Sequence, residues 1–201
     1  MGWFSRRRPA PHPHLRELAA LQSCVVAWRR SVLEHWLESD QAGEDELSER
    51  LDSLRSYAEY ATGLDPLAQD ALMVPVGQLD QSELLLATYR IEAASTIAWA
   101  LQLAPEIPQI EERADTNALA ALFPLDGPPG WSRDDVTRRP PSDIRSAGED
   151  WSARAQSAFA ERTTPESHVE FSRAFERARG LLWVESDLDS LDDVHIELGS
   201  G

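Results

Sequence analysis

The sequence predicts an all-α protein, a single-domain bundle of about six helices around a central apolar helix. Two observations carry that expectation. Apolar residues recur at helical spacing through most of the 201 residues, and no run alternates polar and apolar long enough to argue a strand. Starting signals for helices are also frequent, with Asp or Thr followed by Pro or by a Glu three residues on. A chain of this length forms a real core without disulfide or metal staples.

The first helix, about Leu15 to Glu38, places Leu18, Leu21, Val25, Val32, Leu33, Trp36 and Leu37 on one broad face, with Arg29 projecting within it. A second carries the narrow stripe Leu47, Leu51, Leu54, Ala58 and Ala61 and ends near Gly63. Asp65-Pro66 starts a short helical turn that Pro75 stops. Asp80 followed by Glu83 has the form of a capping box for a third helix, apolar on all sides from Leu84 to Leu103 and therefore expected at the centre of the bundle. Arg90 and Glu92 near its middle argue against a membrane span, since each charge there costs about 2.5 to 3.5 kcal/mol on insertion scales. A short helix from about Asp115 to Phe123 and a Pro- and Gly-rich loop from Pro124 to Pro141 follow. The fifth helix runs from after Ser142 to about Arg162 on Ile144, Ala147, Trp151, Ala155, Ala158 and Phe159. The sixth opens on Thr164-Pro165 and turns Phe171, Ala174, Phe175, Ala178, Leu181 and Leu182 inward. The domain organisation expected is a flexible basic leader over 1–14, a helical domain over 15–185 and a solvated acidic tail over 186–201.

The formal charge is −16, with 35 acids against 19 bases, and every base is Arg. Residues 1–30 carry +5, 31–127 carry −15, 128–180 balance, and 181–201 carry −6. Arg in place of Lys throughout is a composition expected of a GC-rich bacterial genome. The start lacks the apolar stretch of a secretory signal. Its single Cys24 provides neither an internal disulfide nor a CxxC pair, so the expected compartment is the cytoplasm.

Motifs for chemistry are sparse. Cys24 lies on an apolar helix face, and His35 and His168 have no Ser or Cys at a catalytic spacing. Glu185, Asp187, Asp189, Asp192, Asp193, Glu197 and His195 could hold a hard cation, but the spacing fails the calcium-loop pattern, and no metal or cofactor is expected. The arginines of 133–145 beside Trp131 are offset by Asp134, Asp135 and the total charge, so no nucleic acid is expected. Trp3 and Phe4 with Arg6, Arg7 and Arg8 suggest at most a weak peripheral membrane contact.

The informative polar residues are Arg90 and Glu92, which a buried helix holds only with partners; Arg29, Glu176 and Arg177 on facing helices are the candidates. Such a set is either a buried ion-pair network that fixes helix register or a polar pocket lined by Arg90, Glu92 and Arg177.

The segments Tyr89-Arg90-Ile91-Glu92-Ala93, Ala98-Trp99-Ala100-Leu101 and Pro105-Glu106-Ile107-Pro108 resemble a bacterial family of unknown function, the domain catalogued as DUF four-two-seven-two. Its later motifs have counterparts in Arg139 with Asp143-Ile144, in Glu176-Arg177-Ala178 with Leu181, Leu182 and Trp183, and in Asp192-Asp193-Val194. The likeness covers roughly the second half of the chain. It departs around Leu182, where the family commonly has Asn, and in a fifth helix whose aromatics are thinned to Trp151 and Phe159. The resemblance implies a helical, cytoplasmic bacterial fold and brings no activity with it.

The reading that charge favours is a non-enzymatic module that binds a basic protein partner through an acidic surface, in the manner of an immunity protein or antitoxin. The alternative is an enzyme or small-ligand sensor using the buried Arg/Glu set.

Overall fold

The computed structural model describes residues 13–60, 63–127, 131 and 136–198. The expected leader contact through Trp3, Phe4, Arg6, Arg7 and Arg8 lies outside these residues.

Seven α-helices and one 3₁₀ turn make up the secondary structure of the described residues: α1 (Leu15–Glu38), α2 (Glu44–Tyr60), α3 (Pro66–Met73), α4 (Gln81–Ala100), α5 (Thr116–Ala121), α6 (Pro141–Glu161), α7 (Pro165–Glu185) and the turn Leu191–Asp193. One more helix forms than expected, because Asp65-Pro66 starts two full turns. The Asp65 carboxylate accepts from the Ala68 backbone N–H at 2.8 Å, and Pro66 fills a first-turn position whose N–H would have no partner. The capping box at Asp80 and Glu83 forms, and Thr164 caps α7 through Ser167. Helix α6 begins at Pro141, so the Pro-Pro pair opens the helix rather than ending the loop.

Packing follows from which faces are apolar. Helix α4 lies between α1 and α7; α6 packs on the far side of α7, and α2 and α3 pack on the far side of α1. The main core joins Leu21, Val25, Ile97, Leu101, Ile144, Leu181 and Trp183 across α1, α4, α6 and α7. A second cluster of Val26, Leu33, Leu47, Leu51, Leu54 and Leu72 seats α2 and α3 against α1. Burying a side chain of this size contributes about 1.5 to 3 kcal/mol.

Two expectations are corrected. The central helix is enclosed from Ala87 onward, but its first turns are not: Leu85 is 57% and Leu86 39% exposed. The chain enters α4 past Gly77, whose φ of 83° favours Gly and whose backbone lies close against Leu37 of α1. The acidic segment beyond 185 is not a free tail over 187–198. Leu191 and Val194 are buried in the main core, and Asp192 reaches Arg90 beneath.

Candidate functional site

Arg90 and Glu92 are two residues apart on α4, so their side chains leave the helix on different sides and gather different partners. Glu92 faces Arg177 of α7. Its Oε2 accepts from Arg177 Nε at 3.0 Å and Nη2 at 2.7 Å, two donors of one planar guanidinium converging on a single oxygen as no ammonium could. Its Oε1 accepts from the Ala114 N–H at 3.3 Å and lies 4.0 Å from Arg173 Nε. The remaining Arg177 donors reach the carbonyls of Pro108 and Gln109, each at 2.8 Å, and of Glu112 at 2.6 Å, while Arg173 Nη1 donates to Glu111 O at 2.9 Å. The irregular segment between α4 and α5 is thus held down through its backbone by two arginines of α7.

Arg90 faces the other way. Its guanidinium pairs with Glu176 at 3.4 Å and with Asp192 of the C-terminal turn. Arg179 closes the group, 2.9 Å from Glu176 and 3.5 Å from Asp192. Arg29, expected beside these residues, stands elsewhere: it donates to Phe123 O at 2.7 Å and Ala120 O at 2.9 Å, capping the C-terminal end of α5. The structure therefore brings Arg90 with Glu176, and Glu92 with Arg177, and leaves Arg29 apart.

Electrostatics follow from burial. Desolvation pushes the Glu176 carboxyl above its ordinary range, opposed by Arg90 and Arg179. The same effect draws Arg177 down against the pull of Glu92. For Arg90 desolvation is outweighed by the carboxylates of Glu176 and Asp192, which raise it. Cys24, fully enclosed nearby, has its thiol pushed up by burial, which removes it as a nucleophile. Arg90 and Arg177 have no exposed surface. Of the three residues expected to line a pocket, only Glu92 borders an opening, a cleft of about 870 Å³ between α1, α4 and α7 that Arg173 also lines. Among the described residues no group of three His, Cys, Asp or Glu side chains is placed to hold a metal ion.

A second feature is electrostatic. Helix α2 turns Leu47, Leu51 and Leu54 inward and leaves Glu44, Asp45, Glu46, Glu49, Asp52 and Glu59 exposed. Arg50 pairs with Glu46 and Arg55 with Asp52; Glu44, Asp45, Glu49 and Glu59 make no ion pair among the described residues. Interior acids differ: Glu17, Glu34, Glu92 and Glu176 each have an Arg within 4 Å.

Sequence reasoning missed Arg173 and Arg179, and it named Asp192 as a tail acid and motif residue without its pairing to Arg90. The signal for the first was present, since Arg173, Glu176, Arg177 and Gly180 recur at helical spacing as a polar and small stripe inside an apolar helix. That pairing was hidden because its segment reads as a charged tail.

Comparison of the chain with protein families, with curated proteins and with solved structures gives no match. None of the described helices is long and apolar enough to cross a membrane.

Proposed function

We propose that this chain is a bacterial, cytoplasmic binding module that engages a basic protein partner through the outer face of α2. The observation that supports it is the contrast between the two sets of acids. Every interior carboxylate named above has an Arg partner, whereas α2 keeps four unpaired acids in solvent on one short helix. Glu44, Asp45 and Glu46 also favour the helix N-terminus by about 0.3 to 1 kcal/mol each. Glu49, Asp52 and Glu59 lie beyond the first turn and have no such local use. A negative ridge of this kind speeds encounter with a positive surface more than it tightens the complex. Occlusion of a cationic toxin is one concrete form of the activity. The resemblance to the family of unknown function rests on its motif residues alone and adds no activity to this reading.

The test is affinity capture from extracts of the source cells at about 50 mM and about 500 mM salt, where screening lengths differ roughly threefold. A basic polypeptide retained at low salt, released at high salt, and not retained by a Glu44→Gln, Asp45→Asn, Glu49→Gln variant is the expected result. Retention unaffected by the substitutions, or no retained polypeptide, overturns it.

A small-ligand sensor is the second reading. One observation favours it: Glu92 and Arg173 border the cleft between α1, α4 and α7.

A further inference from the structure

That cleft deepens the second reading and is independent of α2. Trp28, Val32 and Trp36 occupy one stripe of α1, one helical turn apart, and Tyr89 of α4 and Val169 of α7 complete the walls. All five are only half-buried, although Trp and Tyr normally supply the largest apolar burial in a core. At about 870 Å³ the space lies within the range of small-molecule sites, and every residue that lines it is among those described.

The cleft is less acidic than the chain as a whole: Arg113 and Arg173 line it with Glu38 and Glu92. The Glu92 carboxylate is already neutralised by Arg177, which donates twice to one of its oxygens and has no exposed surface. Arg173 has no carboxylate of its own: its Nε stands 4.0 Å from Glu92, one Nη donates to a backbone carbonyl, and the side chain lines the cleft. Arg113, exposed on the same cleft, makes no ion pair among the described residues. Glu38, exposed on α1 and 3.4 Å from His35, also lines the cleft and is its second carboxylate. Two guanidiniums therefore line one cleft, and the carboxylate beside Arg173 is already held by Arg177, inside a molecule of charge −16.

We propose that the cleft binds a small aromatic carboxylate, its ring between Trp28, Trp36 and Tyr89 and its carboxylate on Arg173 and Arg113. An amine would meet Arg113, which has no ion pair among the described residues, and Arg173, which shares Glu92 with Arg177; an uncharged ring would leave Arg113 without a counter-ion. The Thr116 hydroxyl on the cleft wall provides a further donor, whereas that of Thr88 is donated to the Leu84 carbonyl at 2.8 Å.

The experiment titrates the full chain with naphthylacetate and, separately, with its neutral amide, following the indole N–H resonances of the tryptophans by NMR, with Trp28→Phe and Trp36→Phe for assignment. At about 0.3 kcal/mol per heavy atom the acid is expected to half-saturate near or below about 1 mM. The resonances of Trp28 and Trp36 should move, and the amide should bind about tenfold more weakly. Arg173→Gln should weaken the acid about tenfold and leave the amide unchanged. Should that variant not fold, Arg113→Gln at the exposed rim takes its place, with an expected weakening of about threefold. No saturable shift up to about 10 mM, equal binding of acid and amide, or shifts confined to other tryptophans overturn the proposal. Because capture through α2 is read in a separate assay, failure of ligand binding at the cleft as a whole is distinguishable from failure of the carboxylate preference, which the amide reports.

Discussion

Replacing Gly180 with Ala tests the tightest approach found at any described glycine. Gly180 sits in the middle of α7 where it crosses α4, and a Cβ there would lie 2.8 Å from the Ala93 carbonyl oxygen, 3.2 Å from Ala93 Cα and closer still to Thr96 Oγ1. Two of those three atoms are backbone of a buried helix and cannot turn away. Overpacking of this kind costs about 1 to 3 kcal/mol, and the immobile backbone puts Gly180→Ala at the upper end. Helix propensity works the other way, since Ala is favoured over Gly by about 1 kcal/mol in a helix interior. The net expectation is a loss of about 2 kcal/mol, or roughly 4 to 8 °C in Tm for a chain of this size. Gly148 is the control. It lies inside α6, and a Cβ there would make only ordinary contacts of 3.6 Å with Leu181 and Leu182. Gly148→Ala should therefore gain about 1 kcal/mol and raise Tm by roughly 2 to 4 °C. The assay is thermal and denaturant unfolding of both variants by circular dichroism. A Gly180→Ala chain as stable as the native one would refute the close crossing, and with it the placement of the Arg90 and Glu92 ion pairs that span the same two helices.

Arg177→Lys should cost about 3 kcal/mol in urea unfolding, because one ammonium cannot serve both Glu92 and the three carbonyls of the following loop, and charged hydrogen bonds contribute about 1.5 to 3 kcal/mol each; a loss under about 1 kcal/mol would show that the network is dispensable. Cys24 should resist a disulfide reagent at about pH 8 in the native chain and react at once in denaturant, since burial keeps its thiol protonated; native reactivity at the rate of a free thiol would contradict its enclosure. The Asp80 carboxylate is held below its ordinary range chiefly by the Ser82 hydroxyl, and also by the Ser82 N–H. Its folded value lies below its unfolded one, so its stabilising effect is present above the ordinary value near 3.8 and is lost as pH falls through the lowered value. The deficit of Asp80→Ala relative to the native chain, measured by urea midpoints, should shrink between about pH 5 and about pH 2; a constant deficit would mean that the cap does not titrate.

Much of the architecture was legible because local signals and tertiary packing agree. Asp80 with Glu83 and Thr164 with Pro165 started α4 and α7 where the sequence placed them, since caps act through atoms only three residues away. Failures came where a side chain's partner lay far along the chain. Leu84 to Leu86 read as core because they are apolar, yet only packing decides which apolar residues find cover: Leu84 is half-buried, whereas Leu85 and Leu86 are exposed. Arg29 read as a partner of Glu92 because it shares a face with α1 core residues; the structure pairs it with carbonyls 91 and 94 residues away, which no periodicity reports. The acids after 185 read as a solvated tail because charge runs usually are, but Leu191 and Val194 between them supply enough apolar surface to fold the segment back, and Asp192 then reaches Arg90.

The absence of Lys acquires a physical meaning in this fold. Arginine side chains hold backbone carbonyls where helices end or the chain runs irregular: Arg16 takes those of Trp183, Ser186 and Leu188, Arg30 those of Ala71, Val74 and Pro75, and Arg139 those of Trp99 and Pro105. Together with Arg29 on α5 and Arg177 on the segment before it, they tie the ends of four helices to distant parts of the chain. A planar guanidinium can satisfy two or three such carbonyls at once and still stack on an aromatic ring, as Arg16 does on Trp183 at 4.0 Å and Arg139 on Trp99 at 4.6 Å. An ammonium offers three donors from a single point and cannot bridge carbonyls so far apart. Whatever codon bias brought arginine to these positions, the connections between helices depend on it. Much of the positive charge of the helical domain is accordingly drawn inward, toward carbonyls and buried carboxylates, and the acids left without ion pairs among the described residues, such as Glu44, Asp45, Glu49 and Glu59 of α2 and Asp187, Asp189, Asp193 and Glu197 of the C-terminal segment, set the sign of the surface.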